Sequence, residues 1–193
     1  MFETESQFIH HLQAGDPAAY ETLIEQYADM VYRVAYRILQ NEHDAEDALQ
    51  ETFLTVYRRI ENFRGDAKFS SWLYRIATNA ALDIIRTKQR KQGEQMSIDV
   101  MDDEENSLLI DDISLLPEQV LLRDETATEL QQGLATLSPK LRTAFVLFEL
   151  EGLSMRETAQ TLEISESAAK LRVHRARIEL QKWLIEQTKE VQI

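Results

Sequence analysis

The chain has 193 residues, 44% apolar and 28% charged, which suffices for one or two small domains with real cores. It has no cysteine, which excludes disulfides, cysteine-ligated zinc and thiol catalysis, and its net charge of -13 argues against a uniformly basic nucleic-acid binder. The charge is unevenly spread, however. Residues 63–92 hold seven Lys or Arg against two acids and residues 169–193 hold six against three, whereas residues 93–125 hold one against eleven. Two basic stretches separated by an acidic connector read as two nucleic-acid footprints.

The acidic, polar N-terminus lacks an apolar core of signal-peptide length, and no segment reaches the ~18 to 20 apolar residues of a membrane span. A cytoplasmic protein without membrane insertion is expected. Glycine and proline are scarce and strand-like alternation is absent, so the whole chain reads as helical. A first helix is expected over Glu3 to Ala14, with Phe8, Ile9 and Leu12 inward and a stop at Gly15. Asp16-Pro17 is a cap followed by a first-turn proline, starting a helix to about Gln40 with Tyr20, Leu23, Tyr27, Val31, Val34 and Ile38 on one stripe. Asp44 is expected to cap the next helix, which buries Ala45, Leu49, Phe53, Val56 and Ile60. Its far side carries Asp47, Gln50, Glu51 and Leu54.

An aromatic-rich loop then leads into a basic helix. Phe69, Leu73, Ile76, Ala80 and Ile84 recur at steps of three and four and mark its core side. The other side carries Arg75, Asn79, Arg86 and Arg90, with Phe63, Arg64 and Lys68 upstream. Asn is unusual in mid-helix but can present a donor and an acceptor together to a base edge.

Phe63-Arg64-Gly65-Asp66 followed by the run from Ser71 to Asn79 resembles region 2 of bacterial sigma factors of the extracytoplasmic-function (ECF) group. The resemblance implies that this segment captures the melted, non-template strand of the minus-10 promoter element, through Phe63, Arg64, Lys68, Arg75, Asn79, Arg86 and Arg90. The preceding DAEDALQETFLTVYRRI segment resembles region 2.2, which implies docking of Asp47, Gln50, Glu51 and Leu54 on the clamp coiled coil of core RNA polymerase.

Residues 93–125 have a linker's composition, yet Leu108, Leu109, Ile110, Ile113, Leu115 and Leu116 are apolar enough to pack on something. The resemblance implies a connector threading toward the RNA exit channel. After Pro117 helix is expected again, aligning Ala127, Leu130, Leu134 and Leu137, and Ser138-Pro139 starts another that ends near Gly152. Ser154 with Glu157 is a capping box opening a short helix, and the last helix runs from Glu166 to about Gln187. Ala169, Val173, Ala176, Leu180 and Leu184 form its buried stripe.

A short helix, a tight turn and a second helix with polar residues at its beginning form a helix-turn-helix pattern. Lys170, Leu171 and His174 are expected to contact bases beside Ser167, with Arg172, Arg175 and Arg177 holding phosphates. The stretch from Leu137 to Arg177 resembles region 4 of the ECF group, which implies reading of a duplex minus-35 element. Ala168 and Leu171 depart from that family's usual polar residues, so its promoter sequence cannot be carried over.

The expected architecture is therefore all-α: a region 2 domain at 1–92, an acidic linker at 93–125 and a region 4 domain at 126–193. No catalytic constellation is visible and no cofactor is called for. Asp44, Glu46 and Asp47 crowd one helix start without a ligand loop, and His174 stands remote in sequence from the other histidines, so no metal site is read. The resemblance implies a further class of partner, an anti-sigma factor. The rival reading is a helix-turn-helix regulator that binds duplex operator DNA without polymerase.

Overall fold

The computed structural model describes residues 2, 4–91 and 124–190. Every regular element among them is helical, and the chain divides into two compact units, residues 1–93 and 94–193. The connector residues 92–123, including Asp102 to Glu105 and the apolar run from Leu108 to Leu116, lie outside the described residues.

The first unit comprises α1 (Glu5–Gln13), α2 (Pro17–Leu39), α3 (Glu42–Arg59) with a 3-10 turn at Ile60–Asn62, and α4 (Phe69–Lys91). Thr4 caps α1, its hydroxyl accepting from the Gln7 amide at 3.2 Å. The chain reverses at Gly15, whose φ of +75° is a left-handed conformation that costs a glycine little. Asp16 then caps α2 through the Ala18 amide, with Pro17 preset in the first turn.

The start of α3 corrects the sequence reading. Asn41, not Asp44, is the cap, its side-chain oxygen accepting from the Asp44 amide at 3.0 Å. Asp44 sits one turn inside, only 7% exposed, and pairs with Lys88 near the end of α4. Either residue type caps well, and here Asp44 is instead engaged by Lys88 across 44 residues of chain.

Helices α2, α3 and α4 pack on one another, and α1 lies on α2 and the 3-10 turn. Their shared core includes Leu12, Leu23, Val31, Val56, Ile60, Phe69 and Leu73. At its centre the fully buried Phe69 ring meets Phe8, Tyr27 and Phe63 edge-on and Trp72 at a tilt, with centroids 5.6 to 5.9 Å away. A second seam is made of small residues, Ala35, Ala45 and Ala48, which lets α2 and α3 approach closely.

The second unit comprises α5 (Asp124–Thr136), α6 (Pro139–Phe145) extended by a π-helical turn at Val146–Leu150, α7 (Met155–Leu162) and α8 (Glu166–Glu190). Pro139 opens α6, although Ser138 makes no side-chain capping bond. The Ser154–Glu157 capping box forms in both directions. Helix α8 is the hub on which α5, α6 and α7 pack. A methyl group built at Gly133 of α5 would stand only 3.0 Å from Leu180 and 3.1 Å from Trp183 of α8, so the glycine marks a close helix crossing.

Candidate nucleic-acid interface

On α4 the steps from Arg75 to Asn79, Arg86 and Arg90 are four, seven and four, which keeps them in one row along the helix. Arg75, Arg86 and Arg90 are exposed and Asn79 is half-buried. Arg86 leans on Asp83 at 2.8 Å, an exposed pairing of small energetic weight. Lys88, on the same basic helix, is drawn away to Asp44.

The loop at residues 63–68 carries exposed Arg64, Gly65 and Lys68, with Gly65 at a φ of +77°. Phe63, expected to contact DNA, is 9% exposed, with its ring against Phe69 and Trp72. The aromatic cluster rewards burying that ring, so the loop offers cations rather than a free stacking surface. A cleft of about 470 Å³ opens beside it, between Phe63, Arg64 and Gly65 and the α1 residues Glu5, His10 and Gln13. Glu5 also lies near Tyr27, whose phenol is held above its ordinary pKa by burial first and by this carboxylate second.

The outer face of α3 presents Asp47, Gln50, Glu51 and Leu54, all exposed, with Leu54 at 49%. Glu51 accepts from Thr55 and Arg58 at 3.2 and 3.3 Å. The face continues to Tyr57, 65% exposed, which sequence reasoning passed over. Its spacing three residues beyond Leu54 was the available signal, and the two make an apolar patch on an acidic helix.

In the second unit α7 ends at Glu163 in the left-handed conformation, and the Ile164 amide closes the turn on the Ala159 carbonyl at 3.1 Å. Ser165 accepts from the Ala168 amide at 3.1 Å and so caps α8. Ser167 and Lys170 are exposed, and Arg172, His174 and Arg175 are half-buried. Two of the residues expected to meet DNA are drawn inward here. Leu171 is 6% exposed, because three helices pack on α8 and widen its buried arc to take in Ala168 and Leu171. Arg177 gives its guanidinium to Glu149 in a largely buried ion pair. Ser167, Lys170 and His174 share one row, at steps of three and four.

Among the described residues, no group of three or more His, Asp or Glu is placed to hold a metal, and no helix is long and apolar enough to cross a membrane.

Residues 23–91 match the Sigma-70 region 2 family and residues 127–180 match Sigma-70, region 4. The chain is 37% identical to the ECF RNA polymerase sigma factor SigE of Mycolicibacterium smegmatis, over 91% of this chain and 66% of that one. It is 36% identical to the ECF RNA polymerase sigma factor SigW of Bacillus subtilis, over 91% of this chain and 94% of that one. The fold is similar to that of the sigma factor RpoE of Bartonella quintana, solved with the anti-sigma factor NepR: TM-score 0.63 and 21% identity, covering 86% of this chain and 96% of that one. With both family regions present in order and a relative matched along nearly its whole length, the chain belongs to the ECF group of the sigma-70 family of RNA polymerase sigma factors.

Proposed function

We propose that this sigma factor holds core RNA polymerase through Asp47, Gln50, Glu51 and Leu54 on α3, with Tyr57 extending the same face. Arg64, Lys68, Arg75, Asn79, Arg86 and Arg90 then meet the displaced minus-10 strand. The carrying observation is the row on α4, where an asparagine with both a donor and an acceptor stands among exposed arginines. Stacking or pocketing of one extruded base contributes ~1 to 3 kcal/mol, enough to bias melting once polymerase adds its own contacts. In the C-terminal unit Ser167, Lys170 and His174 meet base edges of a duplex minus-35 element while Arg172 and Arg175 hold phosphates. The domain limits are 1–92 and 126–193, with an acidic linker between them. The factor works in the cytoplasm beside polymerase and DNA, and the chemistry of RNA synthesis stays with polymerase. A protein of the same fold is captured with an anti-sigma factor, and we propose control of the same kind here.

The test is transcription from sheared genomic DNA of the source organism by core polymerase with and without this protein. New discrete transcripts are expected. Silence with core, combined with tight duplex binding by the protein alone, would favour the operator-binding regulator instead.

Two substitutions separate the DNA sites. Asn79→Ala should narrow the preference for matched over mismatched minus-10 templates by about 1 to 2 kcal/mol while leaving core affinity intact. Lys170→Ala should weaken holoenzyme binding to an upstream duplex by about 1 kcal/mol without shifting thermal stability, since the side chain is exposed. Mobility-shift titrations on the two template types read both effects, and an unchanged minus-10 preference in Asn79→Ala would remove that residue from the reading row.

A further inference from the structure

Helix α1 lies N-terminal to residues 23–91, which carry the region 2 match. Its polar side chains hold the loop at both ends. Gln13 Nε2 donates to the carbonyl oxygens of Ile60 at 3.2 Å and Phe63 at 3.1 Å, where the chain leaves the 3-10 turn and enters the loop. Glu5 Oε1 accepts from the backbone amide of Phe69 at 2.9 Å, where the loop ends and α4 begins. That amide is the first of α4 and has no intrahelical partner. A carboxylate from another helix satisfies it and places negative charge at the positive end of the α4 dipole. The two anchors bracket the exposed Arg64, Gly65 and Lys68, and the cleft between α1 and the loop lies against the same segment.

We propose that α1 is a positioning clamp for the promoter-reading loop, with Gln13 and Glu5 as positioning residues that hold Arg64 and Lys68 in one geometry for the displaced strand. The inference rests on the assignment of this loop to minus-10 reading. A loop tethered at both ends loses less freedom on binding, so the clamp raises affinity for the correct strand without touching it. The hydrogen bonds span 47 to 64 residues of chain, so no local pattern around the loop reveals them.

The experiment uses reconstituted holoenzyme and a fork-junction template carrying the minus-10 sequence that wild-type holoenzyme selects from a randomised pool, beside a mismatched template. Glu5→Ala removes the acceptor, and Gln13→Glu sets an acceptor against two carbonyl oxygens. Each should lower affinity for the matched fork about tenfold and for the mismatched fork far less, so that discrimination collapses. Core affinity and binding of the upstream duplex should stay at wild-type values. Glu5→Gln should remain within about twofold of wild type, because its amide oxygen still accepts from Phe69. Undiminished discrimination in Glu5→Ala and Gln13→Glu, or an equal loss on both forks, would overturn the clamp. Should Gln13→Glu not fold, the Glu5 pair decides alone. A wild type that does not distinguish the forks would instead sink the minus-10 assignment on which the clamp rests.

Discussion

Replacing Phe69 by alanine should destabilise the N-terminal unit by about 3 to 5 kcal/mol, the range for deleting a buried phenyl ring. The ring is fully buried and stands between Phe8, Tyr27, Phe63 and Trp72, drawn from four different stretches of the unit. Phe8, Tyr27 and Trp72 are held on α1, α2 and α4 and cannot all close on the vacated space, so the cavity contribution adds to the lost transfer free energy. Two of the lost partners, Phe63 and Trp72, flank the loop that we assign to the minus-10 strand. The substitution should therefore loosen that loop even where the unit still folds. Denaturant titration of full-length protein in a Trp183→Phe background, where Trp72 is the only indole, reads the transition of this unit. A midpoint shift equivalent to less than about 1 kcal/mol would mean that the cluster repacks and that the ring is not the keystone described.

The second large effect separates packing from recognition. Leu171→Ala should destabilise the C-terminal unit by about 2 to 5 kcal/mol, because the side chain lies within the buried arc of α8. A leucine that faced the major groove would behave in the opposite way, costing almost no stability and altering the preferred base at one minus-35 position. Following Trp183 fluorescence in a Trp72→Phe background gives the stability, and selection of upstream duplexes from a randomised pool at a temperature where the variant is folded gives the specificity. The expected pattern is a large shift in midpoint with the same selected sequence. A changed sequence at full stability would return Leu171 to the contact row.

The signals legible in the sequence were those that a few neighbouring residues decide. Asp16-Pro17, the Ser154–Glu157 box and the stop at Gly15 each specify a helix end from within one turn, and the apolar stripes of α2 and α4 follow from periodicity alone. What the sequence left illegible has a different cause. Asn41 and Asp44 are equally able caps by type, and the engagement of Asp44 by the distant Lys88 is not visible from the local sequence. Phe63 is a loop aromatic by its neighbours in sequence, and a core residue by its contacts with Phe69 and Trp72. Leu171 falls off the four-residue stripe of α8, and is covered because three helices rather than one pack there. Glu5 and Gln13 stand outside the apolar positions of α1, and their bonds to the loop cross too much chain for any local pattern to show them.

The pairing of Arg177 with Glu149 changes how the upstream contact should respond to ionic strength. Each phosphate neutralised by a protein cation releases condensed counterions, and the slope of log affinity against log salt steepens by about 0.9 for each such contact on B-form DNA. A cation already committed to a carboxylate within its own domain releases none. The C-terminal unit should thus hold its promoter with less sensitivity to cellular salt than the number of basic residues on α8 suggests.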